Sequence, residues 1–445
     1  MNQISKSKAA NKSFVNPDYK VCILGVGFVG LTLSMSLTNS GIPVTGVEIN
    51  PKQIDKYMAG ISGMVEPDLD DSLKLAIEEG LFKVLSPNDI SDELKDCNVY
   101  IITVGTPLNN GKIHLAPIIA AVNEISRFIK EKDLVVIRST VSLGTCRKIV
   151  APLLDKVGAK YLLAMCPERT IEGRALKEMR SLPQIIGGLD KESSEAAQKF
   201  FSVICDESVI VDSLEAAELT KLINNTYRDL MFAFANEVAL VANKFGVNAS
   251  QVIDAANHNY ARSNLAYPGP SGGPCLEKDP WILAESGDSV GLDLKISKAA
   301  RNTNETFVTE YLREKMAPSN SSIKVAILGL AFKGNPPSTD TRGSLTPALS
   351  DEVKKIIPNA QLFGFEPAGE VGGFQEYLTE CLEINATLKD ADFIIIANNS
   401  NSFKDIHSQI KEFASPNAAI IDLWGFIKKN SLGEKQVLHS WAGEK

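Results

Sequence analysis

Short, continuous apolar runs recur through the first half of the chain, each closed by glycine, proline or small polar residues. Lys20-Val-Cys-Ile-Leu-Gly25 is the first. Val44-Thr-Gly-Val-Glu48, Asn98-Val-Tyr-Ile-Ile-Thr-Val104, Leu134-Val-Val-Ile-Arg138 and Tyr161-Leu-Leu-Ala-Met165 follow. Apolar runs of this length predict buried strands joined by helices, as in a parallel sheet. Residues 31–39 predict one such helix, stopping at Gly41. From about 212 to 318 the period changes: Leu219, Leu222, Ile223, Leu230, Met231, Phe234, Val238 and Val241 lie close to a 3.6-residue repeat. A long helix over 215–245 is predicted. Ala317-Pro318-Ser-Asn-Ser-Ser reads as a linker. A second strand series then begins at 323–329 and continues at 360–365, 393–397 and 418–422. The pattern predicts an α/β chain with two parallel-sheet domains, 19–211 and 319–445, around an all-helical middle, 212–318, after a flexible extension over 1–18.

The first turn carries chemistry. Gly25-Val-Gly27-Phe28-Val29-Gly30 sets G-x-G-x-x-G between strand and helix, the arrangement of a Rossmann dinucleotide site. The second strand closes on Glu48, about where a ribose-binding carboxylate stands, ~20 residues beyond the glycines. Such a carboxylate accepts ribose hydroxyls and repels a 2′-phosphate, so NAD is expected over NADP. Later strands end in Val104-Gly-Thr106-Pro107, Ser139-Thr140-Val141 and Cys166-Pro-Glu168-Arg169. Ligands of an open parallel sheet sit outside the carboxyl ends of its strands. The three polar ends therefore predict the lining of one site, although loop polarity accounts for any one of them singly.

In the helical part, the glycine- and proline-rich stretch GPSGGPC at 269–275 runs into Cys275 and Asp279. Trp281-Ile-Leu-Ala suggests a helix starting near the cysteine, whose positive end favours a thiolate. Spacing of i, i+4 would set Asp279 on the face of Cys275. That is a nucleophile beside an acid/base group, or a buried cysteine near a helix start. Lys221 and Asn225, four apart on the long helix, form a pair able to hold an oxygen that gains charge, or a solvated face. Gly329-Leu-Ala-Phe-Lys333-Gly lacks the three glycines of a second dinucleotide site. Lys333 and Arg342 there are phosphate or base ligands, or solvated loop cations.

Composition narrows the field. Net charge is −8, with 44% apolar and 22% charged residues. Without a basic cluster or a bilayer-length apolar run, neither nucleic acid nor a membrane is an expected partner. The polar N-terminus has no apolar segment of a signal peptide. Seven cysteines without C-x-x-C and four histidines without ligand spacing predict reduced thiols, a cytoplasmic protein and no metal.

Taken in order, GVGFVG, GTP, STV, CPER, KLINN, GGPCLEKD and FKGNPPSTDTRGS resemble the UDP-glucose/GDP-mannose dehydrogenase family, over nearly the whole chain after the extension. The resemblance implies oxidation of a nucleotide sugar's C6 hydroxyl to a carboxylate with two NAD+ per turnover. It implies Cys275 as the thiol that carries a thiohemiacetal and then a thioester. Lys221 and Asn225, with an ordered water, are the implied oxyanion pair and Asp279 the acid/base group. Thr140 is the hydroxyl positioning Asp279, and Glu168 the carboxylate assisting thioester hydrolysis. Around NAD it implies Gly25, Gly27, Phe28, Val29, Gly30, Glu48, Val104, Thr106, Pro107, Ser139, Thr140, Glu172 and Arg342. Around the UDP-sugar it implies Glu168, Arg169, Lys221, Asn225, Tyr267, Ser271, Gly272, Phe332 and Lys333, with Arg262 reaching a neighbouring subunit's site. A homodimer or higher homo-oligomer built on the long helix, a UDP-binding domain at 319–445 and a role in surface-polysaccharide precursor synthesis are implied as well.

Departures from the family pattern bear on the sugar. Arg169 stands where a hydrophobic residue commonly follows Pro-Glu, a form associated with enzymes for UDP-N-acetylhexosamines. Two extra residues separate Lys333 from Arg342, and Asp422-Leu-Trp424 replaces D-x-R. UDP-N-acetyl-D-mannosamine or UDP-N-acetyl-D-glucosamine is therefore the expected substrate. The alternatives are UDP-glucose, a noncatalytic NAD- or nucleotide-sugar-binding protein, and a two-electron β-hydroxyacid dehydrogenase. The last two need no cysteine loop.

Overall fold

The computed structural model describes residues 6–8, 18–90, 92–109 and 111–443. They form two compact units, Met1–Asn224 with Trp281–Leu292 and Asn225–Pro280 with Asp293–Lys445. Most of the expected extension lies outside the described residues.

In the first unit the strands are β1 (Lys6–Lys8), β2 (Val21–Leu24), β3 (Val44–Val47), β4 (Phe82–Leu85) and β5 (Val99–Ile102). A small separate hairpin, β6 (Leu108–Asn109) and β7 (Lys112–Ile113), precedes β8 (Leu134–Ile137), β9 (Leu162–Met165), β10 (Gln184–Gly188) and β11 (Glu207–Val211). The sheet order is β1-β11-β10-β9-β8-β5-β2-β3-β4. From β4 to β9 it is parallel. Beyond that point the sheet is mixed: β10 runs antiparallel to β9 and β1 antiparallel to β11, while β10 and β11 are parallel. Alternate residues of β2, β5 and β8 enter two separate cores, Ile23, Ile101 and Val136 on one side and Cys22, Tyr100 and Val135 on the other. Both faces are covered, hence the unbroken apolar runs. Helix Phe28–Thr38 is buried along most of its length, and its Thr32, Ser34 and Ser36 hydroxyls donate to carbonyls four residues back.

The second unit has a wholly parallel sheet of β12 (Lys324–Leu328), β13 (Gln361–Phe365), β14 (Thr379–Glu380), β15 (Phe393–Ile396), β16 (Ala419–Asp422) and β17 (Val437–Ser440). Its order is β14-β13-β12-β15-β16-β17, again with a core on each face. Between the two sheets in sequence the chain is helical, through Leu214–Phe245, Ala249–Asn257, Gly273–Leu276, Asp279–Asp288 and Lys295–Lys315. Leu214–Phe245 has 32 residues, about 48 Å at 1.5 Å per residue. The fold is thus two Rossmann-like sheets with a helical region between them in the chain.

Candidate active site

In the first unit the chain leaves β2 in one direction to β3 and β4, and in the other β5 leads to β8 and β9. The crevice between the ends of β2 and β5 is therefore the switch point of the sheet. Gly25, at φ +88°, makes the turn, and a Cβ there would lie 2.8 Å from the Val104 Cα. At Gly30 a Cβ would lie 2.2 Å from the Gly25 carbonyl oxygen, whereas Gly27 has nothing among the described residues within 4 Å of its Cβ position. Two glycines are needed for packing, and the one between them leaves open the approach a pyrophosphate requires. Glu48 Oε2 accepts from the Val26 amide at 3.0 Å, and Oε1 accepts from Ile49 and Asn50 at 2.9 and 3.0 Å. The carboxylate is fixed beside the glycine turn with lone-pair capacity left on Oε2. These residues fit NAD. NADP+ is expected to show kcat/KM lower by ~100-fold or more, because apposed like charges cost several kcal/mol. Comparable constants for the two cofactors would remove Glu48 from the ribose site.

The polar strand ends are tied to one another. Thr103 Oγ1 donates to the Gly25 carbonyl at 2.6 Å, Ser139 Oγ to Val104 O at 2.7 Å and Thr106 Oγ1 to Thr140 O at 2.7 Å. At the end of β9, Glu168 is buried, with Oε2 paired to Arg138 and Oε1 accepting from the Arg169 and Thr170 amides at 2.6 and 2.7 Å. Burial pushes its carboxyl up. The charge of Arg138, the two amides and the charge of Lys221 outweigh burial and hold it below the ordinary glutamate value. Arg138, itself 3% exposed, also donates to Cys166 O at 3.1 Å and Gln184 Oε1 at 2.9 Å. Sequence reasoning took Arg138 only as the end of a strand; its cue is the adjacency of β8 and β9. Arg169, expected at the sugar, donates a guanidinium N–H to Pro183 O.

In the second unit Cys275 is exposed, in the short helix Gly273–Leu276. The expected single helix carrying Cys275 and Asp279 is not formed. The chain turns at Glu277 and Lys278, and a new helix starts at Asp279. Pro280 explains the break, since its ring would clash with the carbonyl of Leu276 in a continuous helix. A single turn also carries little dipole, so the expected helix-end activation of the thiol loses its basis. Asp279 is fully buried: Oδ2 accepts from Asn225 Nδ2 at 2.6 Å, Oδ1 makes no hydrogen bond among the described residues, and Lys278 Nζ lies 3.7 Å from Oδ1. Asn225 thus fixes Asp279 and keeps a second N–H.

Phe332 packs on the cysteine loop, where a Cβ on Gly273 would come within 2.3 Å of its ring, and Lys333 Nζ lies 5.4 Å from the same ring's centroid. Gly272 abuts the Gly343 carbonyl, which accepts from the Gly273 amide at 3.1 Å. Ser271 is buried against Asp229. Other expected ligands are engaged locally: Arg342 with Asp340 at 2.6 and 3.0 Å, Tyr267 with Asp254, and Arg262 over the Tyr260 ring at 4.8 Å. Glu172 is partly buried. A cavity of about 450 Å³ opens beyond β12, β15 and β16, lined by Asn335, Asn399, Asn401, Lys404, Trp424, Gly425 and Phe426. It lies at this sheet's own switch point, between β12 and β15. Of its lining, sequence reasoning touched only Asn335, within FKGNPPSTDTRGS, and Trp424, within the segment that replaces D-x-R.

Residues 19–205 match the profile of the UDP-glucose/GDP-mannose dehydrogenase family, NAD binding domain, and residues 215–306 match that family's central domain. A UDP-N-acetyl-D-mannosamine dehydrogenase of Pyrococcus horikoshii is 32% identical over 427 residues, 93% of this chain and 97% of the relative. The solved structure of the UDP-D-ManNAc dehydrogenase from Pyrococcus horikoshii superposes with TM-score 0.83 at 28% identity, covering 96% of this chain and 100% of that one. For the UDP-N-acetyl-mannosamine dehydrogenase of Staphylococcus aureus the TM-score is 0.80 at 26% identity, with 95% and 98% covered.

Proposed function

The chain belongs to the UDP-glucose/GDP-mannose dehydrogenase family, and on that premise we propose that it oxidises C6 of a UDP-N-acetylhexosamine, foremost UDP-N-acetyl-D-mannosamine, to the uronate. It is an NAD-dependent nucleotide-sugar dehydrogenase. The observation that carries the sugar assignment is the 32% identity, over 93% of the chain, to a relative named for that substrate. Residues 19–211 are assigned to the cofactor, 212–318 to self-association and 319–445 to the UDP moiety. The cavity at the second switch point supports the last assignment.

Bound NAD+ supplies the hydride acceptor for each of the two oxidations. In the first, Asp279, positioned by Thr140, takes the C6 hydroxyl proton, while Lys221 and Asn225, with an ordered water, stabilise the developing oxyanion. The Cys275 thiolate then adds to the C6 aldehyde, and the resulting thiohemiacetal loses its second hydride to give a thioester. Glu168 takes a proton from the water that attacks the thioester carbonyl. The C–S bond breaks, the electron pair returns to sulfur, and the uronate leaves. One alcohol, two NAD+ and one water give one carboxylate, two NADH and three protons.

A panel of nucleotide sugars followed by NADH absorbance tests the substrate. UDP-N-acetyl-D-mannosamine is expected to exceed UDP-glucose by at least ~10-fold in kcat/KM, about 1.4 kcal/mol of transition-state binding. A panel won by UDP-glucose would overturn the assignment, and one won by UDP-N-acetyl-D-glucosamine would overturn the epimer.

Self-association is the second part of the proposal. Ile223, Tyr227, Phe234, Val241 and Phe245 of the long helix are 47%, 61%, 52%, 60% and 80% exposed. With the half-buried Met231 and Val238 they recur every three or four residues, as in a helix-packing seam. A second copy related by a twofold axis is the proposed cover, which would also let Arg262 serve the neighbouring subunit's site. The mass in solution is expected to be at least twice the 48.2 kDa of the chain, and Phe234→Glu is expected to lower it. A wild-type monomer at assay concentration would contradict both points.

Among the described residues no helix is long and apolar enough to cross a membrane. We place the enzyme in the cytoplasm, where an exposed thiol such as Cys275 stays reduced, supplying a uronate for surface polysaccharide. Recovery from an exported fraction, or a deletion strain with unaltered surface polysaccharide, would contradict this placement.

A further inference from the structure

A chain of buried polar side chains lies beneath the cysteine loop and takes no part in the chemistry above. Residues 269–276 contain two prolines and no regular structure before Gly273, so their carbonyls depend on donors from elsewhere. Asn236 clamps the start of the loop. The Gly269 amide donates to its Oδ1 at 2.9 Å, and its Nδ2 donates to Gly269 O at 3.1 Å. Arg301 spans the remainder, with Nη2 donating to Ser271 O at 3.3 Å and Nη1 to Leu276 O at 3.1 Å. Nη1 is also 2.6 Å from Asp229 Oδ1, which accepts from Ser271 Oγ at 3.4 Å and Asn304 Nδ2 at 2.9 Å. Asn304 Oδ1 accepts from Asn236 Nδ2 at 3.1 Å and so joins the clamp to the ion pair. Asp229, Asn236, Arg301 and Asn304 are all buried.

A buried ion pair is a poor device for stability alone, since apolar residues of like volume often serve as well or better. This pair does something apolar residues cannot. The planar fork of Arg301, held by Asp229, puts one donor on a carbonyl before Cys275 and another on the carbonyl of the residue after it. Lysine, a single point of charge, has no rigid fork to reproduce that reach. We propose that Arg301 is a positioning residue that fixes the backbone on both sides of Cys275, so that the thiol meets the C6 aldehyde in the aiming geometry that its addition and the second oxidation need. The proposal rests on the reading of Cys275 as the acyl-carrying thiol.

The test uses the full chain in a Cys381→Ser background. Cys381 is the one cysteine besides Cys275 that is not buried, so alkylation by iodoacetamide then reports Cys275. Arg301→Lys, with NAD+ affinity unchanged, is expected to lower kcat by at least ~10-fold with little change in KM for the nucleotide sugar. It is also expected to change the Cys275 alkylation rate by ~3-fold or more. Asn236→Ala is expected to move both readouts in the same direction. Hydrogen exchange on the wild-type protein gives a check that needs no variant: a peptide spanning 269–278, whose Gly269 and Gly273 amides donate to Asn236 Oδ1 and Gly343 O, should exchange more slowly than an exposed loop. Exchange of that peptide at exposed-loop rates would overturn the proposal. So would a folded Arg301→Lys enzyme with kcat and alkylation within ~2-fold of wild type. If wild type oxidises no nucleotide sugar, the functional reading fails, while alkylation and exchange still decide whether Arg301 holds the loop.

Discussion

Cys275→Ala should bind NAD+ normally and make no uronate. Without the thiol, the aldehyde from the first oxidation cannot form the thiohemiacetal, still at the aldehyde oxidation level, whose tetrahedral carbon gives up the second hydride. The variant is expected at most to form one NADH per sugar and leave an aldehyde or its hydrate. Cys275→Ser should differ from it. The serine can add to the aldehyde, yet the ester it forms must expel an alkoxide, a much poorer leaving group than a thiolate, so turnover should stall on a covalent adduct. NAD+ affinity should survive both changes, because Gly25, Gly27, Gly30 and Glu48 belong to the first unit and Cys275 to the second. The measurements are the ratio of NADH to carboxylate, expected to be two in the wild type, and the intact mass of the serine variant after substrate. A Cys275→Ala enzyme producing uronate at the wild-type rate would end the scheme.

What could be read from the sequence followed from how each feature is encoded. Strands β2, β5, β8 and β9 are apolar throughout because both faces of the sheet are covered, and such runs announce themselves. β4 carries Lys83, β10 ends in Gly187 and Gly188, and β14 is two residues long, so none shows that signature. The glycine turn and Glu48 were legible because their separation is fixed by one strand–helix–strand unit. Asp279 was legible as a candidate, but its helical phase with Cys275 was not, although Pro280 is the residue that signals the break. Long-range pairs stay silent in a single chain. Arg138 meets Glu168 across 30 residues because β8 and β9 are neighbours, and Arg301 meets Asp229 across 72. Neither pairing has a local periodicity to reveal it.

The Arg138–Glu168 pair leads to the second large effect. Glu168→Gln should slow thioester hydrolysis by ~10²–10⁴-fold, the usual worth of a positioned general base, while leaving the hydride transfers that precede it far less affected. The pair also sets a pH dependence whose sign can be worked out. As a base Glu168 must be ionised, and with Arg138, two amides and Lys221 around it the carboxyl sits below its ordinary value. Hydrolysis in the wild type should therefore stay flat as pH falls to the ordinary glutamate range and decline only beneath it. The stability the ionised carboxylate contributes has the same window: present above the unfolded-state value, lost as pH falls through the lower folded-state one. Arg138→Met removes the largest influence opposing burial, so the acid limb should move upward from its wild-type position. Arg138→Lys keeps the charge and should hold the limb close to its wild-type position. Breaking a buried pair costs about 3–5 kcal/mol of stability, so the comparison is made at low temperature on protein shown to be folded. Single-turnover hydrolysis of the preformed acyl-enzyme, followed against pH, reads the limb directly. An acid limb unchanged in folded Arg138→Met would show that Glu168 is not the base, or that Arg138 does not set its charge.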